Sequence, residues 1–549
     1  MALDWLKDLG SRPDHPMTDA AEAARLLAEL PRDDPEAALA EINAWLDSIA
    51  TAEGFRPARR LEVIGALDEA GRLLQQSLLA DYLHSEASRE FRATKTWTTV
   101  HEYWARLAAA YDRCIADVRG DARVAGDLPD GLAALLARAI RAAGTDLRVT
   151  LLRYLPVPDT VWQELYAVYR LAIEHKVTET PLIAYRGERV RTSPRLELAK
   201  ALMLDVAYPE SMAPVHIELA YRISSRLAPA FVVSRHPDPL APFAADLTRP
   251  RAPRRAADAQ EDTPTLLHFG AGLALEKLQA MLADAAAARP EREAPFGSEF
   301  TPADEITVIR HLLAYWGNDP PHRVHARIHA EAALEVVHGY RSVCAAVTRV
   351  DYSGVADLSD ELKVRFGKRD ALELTEEHVE LAPETWQQED LSVGGVGTVI
   401  PPKTGGWAAI GCLCAVKTAD APHWMTGVIR RLVTDQQGRL HAGIELLAKD
   451  PLAVWLRVMG SAATGVSNWA TTSGSFEIDY VEAIMLSDRR DSIRACDAAM
   501  PAGTYARGKL MELMLGEGSR QIALTELIES GKDFERVRFE WVPAAGAAA

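Results

Sequence analysis

Two short groups of residues in the C-terminal half of the chain have side chains of the types that bind small phosphate-bearing ligands. Arg323 and Arg327 lie four apart in RVHAR, and Asp390 and Ser392 lie two apart in DLSVGG. An arginine presents a planar fork to phosphate oxygens, and its flat face can stack on an aromatic ring. A carboxylate accepts hydrogen bonds from N–H donors, and a serine hydroxyl donates or accepts them.

The order of these motifs along the chain resembles the PilZ family. RxxxR at 323–327 precedes the strand-like run ALEVVHG. DxSxxG at 390–395 precedes HWMTGVIRRL and LHAGIELL, and TDQQGR lies between the last two as a hairpin loop would. Each motif is short enough to occur by chance, whereas the ordered set is considerably more specific. The resemblance covers about residues 320 to 457.

Resemblance to the PilZ family implies a β-barrel that binds cyclic di-GMP, a dianion with two guanine bases. The ligand-binding residues that it implies are Arg323, Arg327, Asp390, Ser392, Gly394 and Gly395. By this resemblance the arginines contact phosphate and stack on a base, while the aspartate and the serine read a guanine edge. The glycines allow a tight turn, with Gly395 as the turn residue, and let the ligand approach the backbone closely.

The spacing of the two motifs departs from the family pattern. Residues 328–389 separate Arg327 from Asp390, where PilZ domains usually have only a strand and a turn. The free-energy cost of closing a loop rises slowly with its length, so an insertion at about 345–385 is tolerable.

A second RxxxR motif, Arg365 to Arg369, lies inside this predicted insertion, and its distance from DxSxxG is nearer the family norm. We favour Arg323 and Arg327 as the phosphate-binding pair, because a strand-like run with Gly339 follows them directly. The second pair remains a candidate.

Two other interpretations of DxSxxG need no ligand. Asp390 and Ser392 could make local bonds to the backbone at a strand-ending turn. The barrel could also be present without its ligand, because a fold does not guarantee a site. The alternative to a cyclic-di-GMP receptor is therefore a helical scaffold or adaptor protein whose PilZ-like barrel binds no nucleotide.

Apolar periodicity divides the chain into a helical part and a β-rich part. Runs such as AAEAARLLAEL and VWQELYAVYRLAIEHKV predict helices, whereas short β-branched and aromatic runs dominate beyond about residue 323. The predicted class is α+β, with an all-helical N-terminal bundle or array followed by a PilZ-like antiparallel barrel. The predicted segments are a helical domain at 1–245, a linker at 246–264, a helical segment and joint at 265–318, the barrel at 319–457 and a β-rich extension at 458–549.

Composition limits the function classes. The 549 residues carry a formal net charge of −17 and are 48% hydrophobic. This charge argues against binding a nucleic-acid polymer, which needs a broad basic surface. The sequence has no apolar run long enough to cross a bilayer and no typical secretory signal, so we expect a cytoplasmic protein. No nucleophile or metal motif stands out, so we predict a non-enzyme without metal or cofactor. Its predicted partners are cyclic di-GMP and, through the helical region, another protein.

Overall fold

The computed structural model describes residues 15–53, 55–84, 90–121, 123–126, 128, 131–258, 263, 265–287, 294–322, 325–347, 381–402, 406–419, 421, 423–458, 480–486, 495–515 and 518–542. The chain divides into two compact units, residues 1–322 and residues 323–549. The first unit is mainly helical and the second mainly β, which confirms the predicted α+β class.

The described helices of the first unit are α1 (Ala20–Ala28), α2 (Pro35–Thr51), α3 (Pro57–Leu83), α4 (Glu90–Gly120), α5 (Gly131–Leu151), α6 (Asp159–Glu174), α7 (Pro194–Asp205), α8 (Pro214–Leu227), α9 (Ala274–Ala286) and α10 (Pro302–Trp316). Side-chain caps fix several of their starts. Asp34 accepts a hydrogen bond from the Ala37 amide, and Pro35 occupies the first helical position of α2. Thr301 and Asp304 form a reciprocal capping box at the start of α10.

Large aromatic side chains fill the core between these helices. Trp162 and Tyr166 of α6 are each 1% exposed, and Tyr103 and Tyr111 of α4 are fully buried. Tyr111 donates to the Asp68 carboxylate of α3 over 2.6 Å, so a buried polar group is satisfied inside the apolar core. The aromatic residues of VWQELYAVYRLAIEHKV therefore pack inside the unit, as the periodicity of that run predicts.

A small antiparallel sheet follows α8 in the chain. Its strands are β1 (Val232–Ser234), β2 (Phe243–Asp246), β3 (Arg254–Arg255) and β4 (Leu266–Gly270), in the order β1-β4-β2-β3. Residues 246–264, which the sequence suggests as a linker, thus include the end of β2 and all of β3. Arg255 anchors this segment: its guanidinium donates to the carbonyls of Tyr315 and Gly317 and lies 4.3 Å from the Phe243 ring centre. These strands have two to five residues, too few for a periodic pattern to be recognised.

The described strands of the second unit form two closed antiparallel barrels. The first contains β5 (Ile328–His338), β6 (Glu384–Ser392), β7 (Gly395–Ile400), β8 (Leu413–Thr418), β9 (Met425–Thr434) and β10 (Leu440–Ala448), in the order β10-β7-β6-β5-β8-β9. The second contains β11 (Leu452–Val458), β12 (Tyr480–Met485), β13 (Ala495–Pro501), β14 (Leu510–Leu515), β15 (Gly518–Ser530) and β16 (Phe534–Trp541), in the order β11-β12-β13-β16-β15-β14.

The first barrel confirms several sequence predictions and corrects one. ALEVVHG lies in β5, and TDQQGR connects β9 to β10 with Gly438 at a positive φ of 77°. The run AVWLRV, however, lies in β11 of the second barrel, although the sequence suggests that the first barrel extends to residue 457. Strand-like composition predicts a strand but not the barrel in which it pairs, because register depends on distant partners.

A short helix, α11 (Tyr340–Val347), contributes to a core that both barrels share. Val343 and Cys344 of α11 pack with Val428 of the first barrel and with Ile484 and Phe534 of the second, and none of the five is exposed. The sequence suggests an insertion beginning at about residue 345. Its described beginning is the end of α11, and residues 348–380 lie outside the described part of the chain.

One buried carboxyl group makes the stability of the helical unit depend on pH. Asp146 of α5 is 7% exposed, and its Oδ1 atom lies 3.5 Å from His101 Nε2 of α4. Burial, with a smaller contribution from the Glu164 carboxylate, raises the pKa of Asp146 from 3.8 to about 7. The folded protein therefore holds this proton more tightly than the unfolded chain.

We expect Asp146→Asn to raise the unfolding temperature of the full chain at pH 8 more than at pH 5. The contribution of a carboxyl with a raised folded pKa is fully present below pH 4 and is lost as the pH rises to about 7. Asparagine cannot ionise, so the gain in free energy of unfolding should level off above pH 7, at no more than about 4 kcal/mol. Far-UV circular dichroism at each pH measures it, with the exposed Asp33→Asn as control. An equal gain at pH 5 and pH 8 would contradict the assignment.

Candidate ligand-binding site

Asp390 lies near the end of β6, where the pairing of the strand is irregular. It is paired in register with Gly397 of β7 and with His329 of β5. The register shifts beside it on both sides, between Gln388 and Asp390 toward β7 and between His329 and Ala332 toward β5. Such irregularities bend a strand and re-aim its side chains, and they are common next to binding sites.

Arg327 comes directly before β5 and pairs with Asp390. Its Nη1 atom donates to Asp390 Oδ2 over 2.5 Å, and the two side chains are 28% and 24% exposed. The other carboxylate oxygen, Oδ1, is buried and accepts no hydrogen bond from any residue that the structure describes. An ionised carboxylate offers about four acceptor positions. Asp390 therefore retains acceptor capacity beyond the arginine contact.

Gly397 gives the Asp390 carboxylate its space. A Cβ atom at residue 397 would lie 2.6 Å from Asp390 Oδ1 and 2.8 Å from Oδ2, closer than real Cβ atoms come to other groups. A larger residue would displace the carboxylate. Gly397 is not among the site residues predicted from the sequence. The sequence does contain a signal for it. In GVGTV, Gly397 is two residues from Gly395, and residues two apart on a strand share a face.

The DxSxxG motif forms the hairpin that joins β6 to β7. Ser392 pairs with Gly395 in register, which leaves Val393 and Gly394 as the turn residues. Ser392 Oγ donates to the Gly395 carbonyl over 3.2 Å, as in the interpretation of the motif as a local turn. The turn also lies near the arm that precedes β5, since a Cβ atom at Gly394 would be 3.4 Å from His325 Cδ2.

Gly395 begins strand β7 and does not lie in the turn, in contrast to the expected role of this residue. Its φ is not among the positive values found for the described glycines. A Cβ atom there would lie 2.8 Å from the carbonyl oxygen of Ile444 on β10. Close approach of a neighbouring strand, not turn conformation, is therefore the reason for glycine at this position.

The positions of the other predicted arginines relative to Asp390 are not described. Arg323 lies outside the described residues, and so do Arg365 and Arg369 of the alternative pair. Arg327 reaches Asp390 although residues 328–389 separate the two in sequence. The assignment of the phosphate-binding pair stays a prediction.

A second polar cluster adjoins the site through Glu389. His441 of β10 contacts Glu389 through Nδ1 at 2.9 Å and Asp435 of the β9–β10 hairpin through Nε2 at 3.0 Å. Burial lowers the pKa of His441, but the hydrogen bonds to the two carboxylates outweigh it and raise the pKa. Sequence reasoning missed this cluster, because its members are adjacent only through the strand order β10-β7-β6. The His441 imidazole, held between two carboxylates, links β6 to the hairpin.

The comparisons with known proteins concern the helical region. Residues 21–238 match the family model described as "Cyclic-di-GMP receptor FimW, N-terminal domain". The matched residues extend from α1 to just beyond β1, and the barrels lie outside them. The match fits the resemblance to a cyclic-di-GMP-binding PilZ-like protein, which rests on a different part of the chain. The name of this family indicates a receptor and not a known class of enzyme. No curated protein matches the chain.

The described residues contain neither a membrane-spanning helix nor a cluster of metal ligands. None of the described helices is long and apolar enough to cross a membrane. Within the same residues, no group of three or more His, Cys, Asp or Glu side chains is arranged to hold a metal ion.

We expect Gly395→Ala to destabilise the second unit and Gly394→Ala to have little effect. The alanine Cβ at 395 would meet a backbone oxygen of β10 at 2.8 Å, whereas at 394 it would meet only a side-chain atom at 3.4 Å. Overpacking of this kind typically costs about 1–3 kcal/mol. Thermal unfolding of the full chain measures both variants. Equal unfolding temperatures for the two would show that β7 and β10 are not held this closely.

Proposed function

We propose that the protein is a cyclic-di-GMP receptor that binds the dinucleotide on its first barrel, at Arg327, Asp390 and Ser392, and relays binding to a helical region that contacts a protein partner. The observation that carries the proposal is the approach of Arg327 to Asp390 at the DxSxxG hairpin. The similarity of residues 21–238 to the N-terminal domain of a cyclic-di-GMP receptor supports the same class.

Asp390 and Ser392 are suited to a guanine edge, which offers paired N–H donors. Asp390 Oδ1 is buried and accepts no hydrogen bond from a described residue, whereas Oδ2 contacts Arg327. A guanine N–H would satisfy this buried acceptor, whose desolvation is otherwise uncompensated. The Ser392 hydroxyl can exchange its backbone contact of 3.2 Å for a base contact at low cost, because the Gly395 carbonyl retains its place in the strand ladder.

Arg327 supplies the fork for phosphate or for stacking on a base. A phosphate that takes this guanidinium competes with Asp390 for it, so ligand affinity reflects the difference between two charge-assisted contacts. Arginine is favoured over lysine here, since a lysine offers charge without a planar face or a fork. Arg323, four residues earlier, is the proposed second phosphate contact.

Exposed apolar side chains flank the proposed site. Ile328 follows Arg327 and is 74% exposed, and Val393 at the hairpin turn is 61% exposed. Large apolar side chains at the surface, beside a group of polar ones, are typical of binding sites for ligands with ring faces. Covering them with a purine would remove apolar surface from water.

We expect cyclic di-GMP to bind the full chain in isothermal titration, and each of Asp390→Asn, Arg327→Lys and Arg327→Ala to weaken binding by about tenfold or more. Arg327→Ala should weaken it more than Arg327→Lys and should also reduce its dependence on salt, because a charge is lost. The matched control is Arg439→Ala, which removes another exposed arginine paired with an aspartate, Asp435, at a hairpin of the same barrel.

If cyclic di-GMP binds the unmodified protein and binds Asp390→Asn and Arg327→Ala with the same affinity, the ligand site is not at these residues. Absence of heat and of a thermal shift at high micromolar cyclic di-GMP would reject the receptor function. The alternative, a helical scaffold with a barrel that binds no nucleotide, would then stand. It has one observation in its favour: Ser392 and Arg327 already have partners within the barrel.

We propose that the arm before β5 relays binding. In sequence, residues 317–327 connect α10 to β5, and Arg327 is the last residue of this connection. A ligand can shift a domain arrangement only if it binds one arrangement more tightly than another.

We therefore expect saturating cyclic di-GMP to change the small-angle X-ray scattering profile of the full chain, and Arg327→Ala to reduce the change at ligand saturation. An identical profile with and without saturating ligand, in a sample whose binding is verified by titration, would reject the relay while leaving the receptor function intact.

A further inference from the structure

A large cavity lies within the helical unit, apart from the barrel residues discussed above. Its volume is about 1000 Å³. Its walls come from α3, α4, α5, α7 and α8, from the segment Tyr185 to Thr192, and from residues just after α8 and just before α10. Ligand sites in proteins typically have volumes of about 300–1,000 Å³. The cavity is therefore large enough for a ligand the size of a nucleotide.

Positive charge dominates the walls of this cavity. Three carboxylates, those of Glu188, Glu218 and Glu299, line it. The cations that line it are Arg72, Arg141, Arg148, Arg189, Arg191, Lys200, Arg222 and Arg226. This local excess contrasts with the net charge of −17 for the whole chain. Like charges facing a concave, low-dielectric wall concentrate the field and attract anions.

Arg148 of α5 is buried in the cavity wall with an unsatisfied donor. The residue is 6% exposed, and its Nη1 atom donates to Glu218 Oε2 over 2.9 Å. Its guanidinium lies 4.2 Å from the centre of the Tyr221 ring. Its Nε atom is buried and has no hydrogen-bond partner among the described residues. A buried donor without a partner is costly, and the guanidinium adds a fixed positive charge to the cavity wall.

Arg141 lies two helical turns before Arg148 on the same helix and has a similar arrangement. It donates to Glu188 over 2.8 Å and to Glu197 over 2.6 Å, and its Nε atom is likewise buried and without a described partner. Glu197 is also paired with Lys200 at 2.6 Å. The carboxylates thus hold these cations in place at the cavity wall.

Arg189 and Arg191 are different, because they are exposed and uncompensated. They flank Val190 on the segment that borders the cavity, and neither makes a hydrogen bond or an ion pair within the part of the chain that the structure describes. Val190 itself is 70% exposed. Two cations this close in sequence repel each other in the absence of an anion. An anionic ligand would relieve this repulsion.

Apolar groups complete the lining. Trp104, Leu196, Val215, Tyr221 and Phe300 contribute to the walls beside the arginines. An inorganic anion would use only the charged groups, whereas an organic one would also cover the apolar surface. The combination of arginine forks with aromatic and aliphatic walls suits a phosphate ester.

We propose that this cavity is a second ligand site, which binds a small organic phosphate through Arg141, Arg148, Arg189 and Arg191. The phosphate oxygens accept from the arginine N–H groups, and the organic part lies against Tyr221 and Phe300. A phosphate group suits the site better than a single carboxylate, because it presents three acceptor oxygens to several guanidinium groups. This site is independent of the barrel site and does not rest on it.

Titration of the full chain with GMP, glucose 6-phosphate and inorganic pyrophosphate tests the proposal. We expect saturable binding of GMP or glucose 6-phosphate, stronger than that of pyrophosphate. The variant Arg189→Ala/Arg191→Ala should weaken it by about tenfold or more, because two charge-assisted contacts are lost. Both residues are exposed, so folding should be unaffected. The matched control is Arg32→Ala/Arg310→Ala, two exposed arginines outside the cavity.

Two outcomes would overturn the proposal: no saturable binding of any phosphate probe at low millimolar concentration, or equal weakening in the cavity and control variants. Cyclic di-GMP titrations separate the two sites. We expect its affinity to depend on Asp390 and not on Arg189 and Arg191. The opposite dependence would place cyclic di-GMP in the cavity, which would reject the barrel site and retain the cavity site.

Discussion

Closure of the first barrel is the constraint on which the candidate site depends. The strand order places β5 between β6 and β8, so the start of β5 lies beside the end of β6 in an antiparallel pair. Arg327 and Asp390 meet for this reason, although residues 328–389 separate them. Each strand of a closed barrel has two hydrogen-bonded neighbours, which leaves little freedom for the register to slip. The contact of 2.5 Å between the two side chains is a consequence of that register.

Glycines allow the strands around this contact to come closer than side chains would permit. Gly395 lets the backbone of β10 approach, and Gly397 lets the Asp390 carboxylate lie against β7. The two positions share a strand but meet different neighbours, one a carbonyl oxygen and the other a carboxylate. The two glycines of β7 thus allow both the close packing of β10 and the position of the Asp390 carboxylate.

The elements were largely predictable from the sequence, but their partners were not. Periodicity and caps such as Asp34–Pro35 predict the helices, and short runs rich in β-branched and aromatic residues predict β5, β9 and β10. The contacts of His441 and Gly397 depend on strand order, which local patterns do not encode. For the same reason the sequence suggests the wrong barrel for AVWLRV: strand-like composition does not determine which strands it pairs with. The polar cavity of the helical unit was also missed, because its arginines come from helices and a loop that are distant in sequence.

The attachment of the long segment between β5 and β6 has a consequence for how such a protein can vary. The helix α11 leaves β5 and packs on the core shared by the two barrels, and Leu381, where the described chain resumes before β6, packs against the same core. Both ends of the segment are therefore anchored on the same core. The register of the barrel strands does not depend on how many residues lie between these two ends. Insertions and deletions in this segment can therefore occur during evolution without disrupting the strand pairing of the barrel. The segment is thus a position at which a lineage can acquire new surface while the hairpin and its neighbouring arginine keep their places.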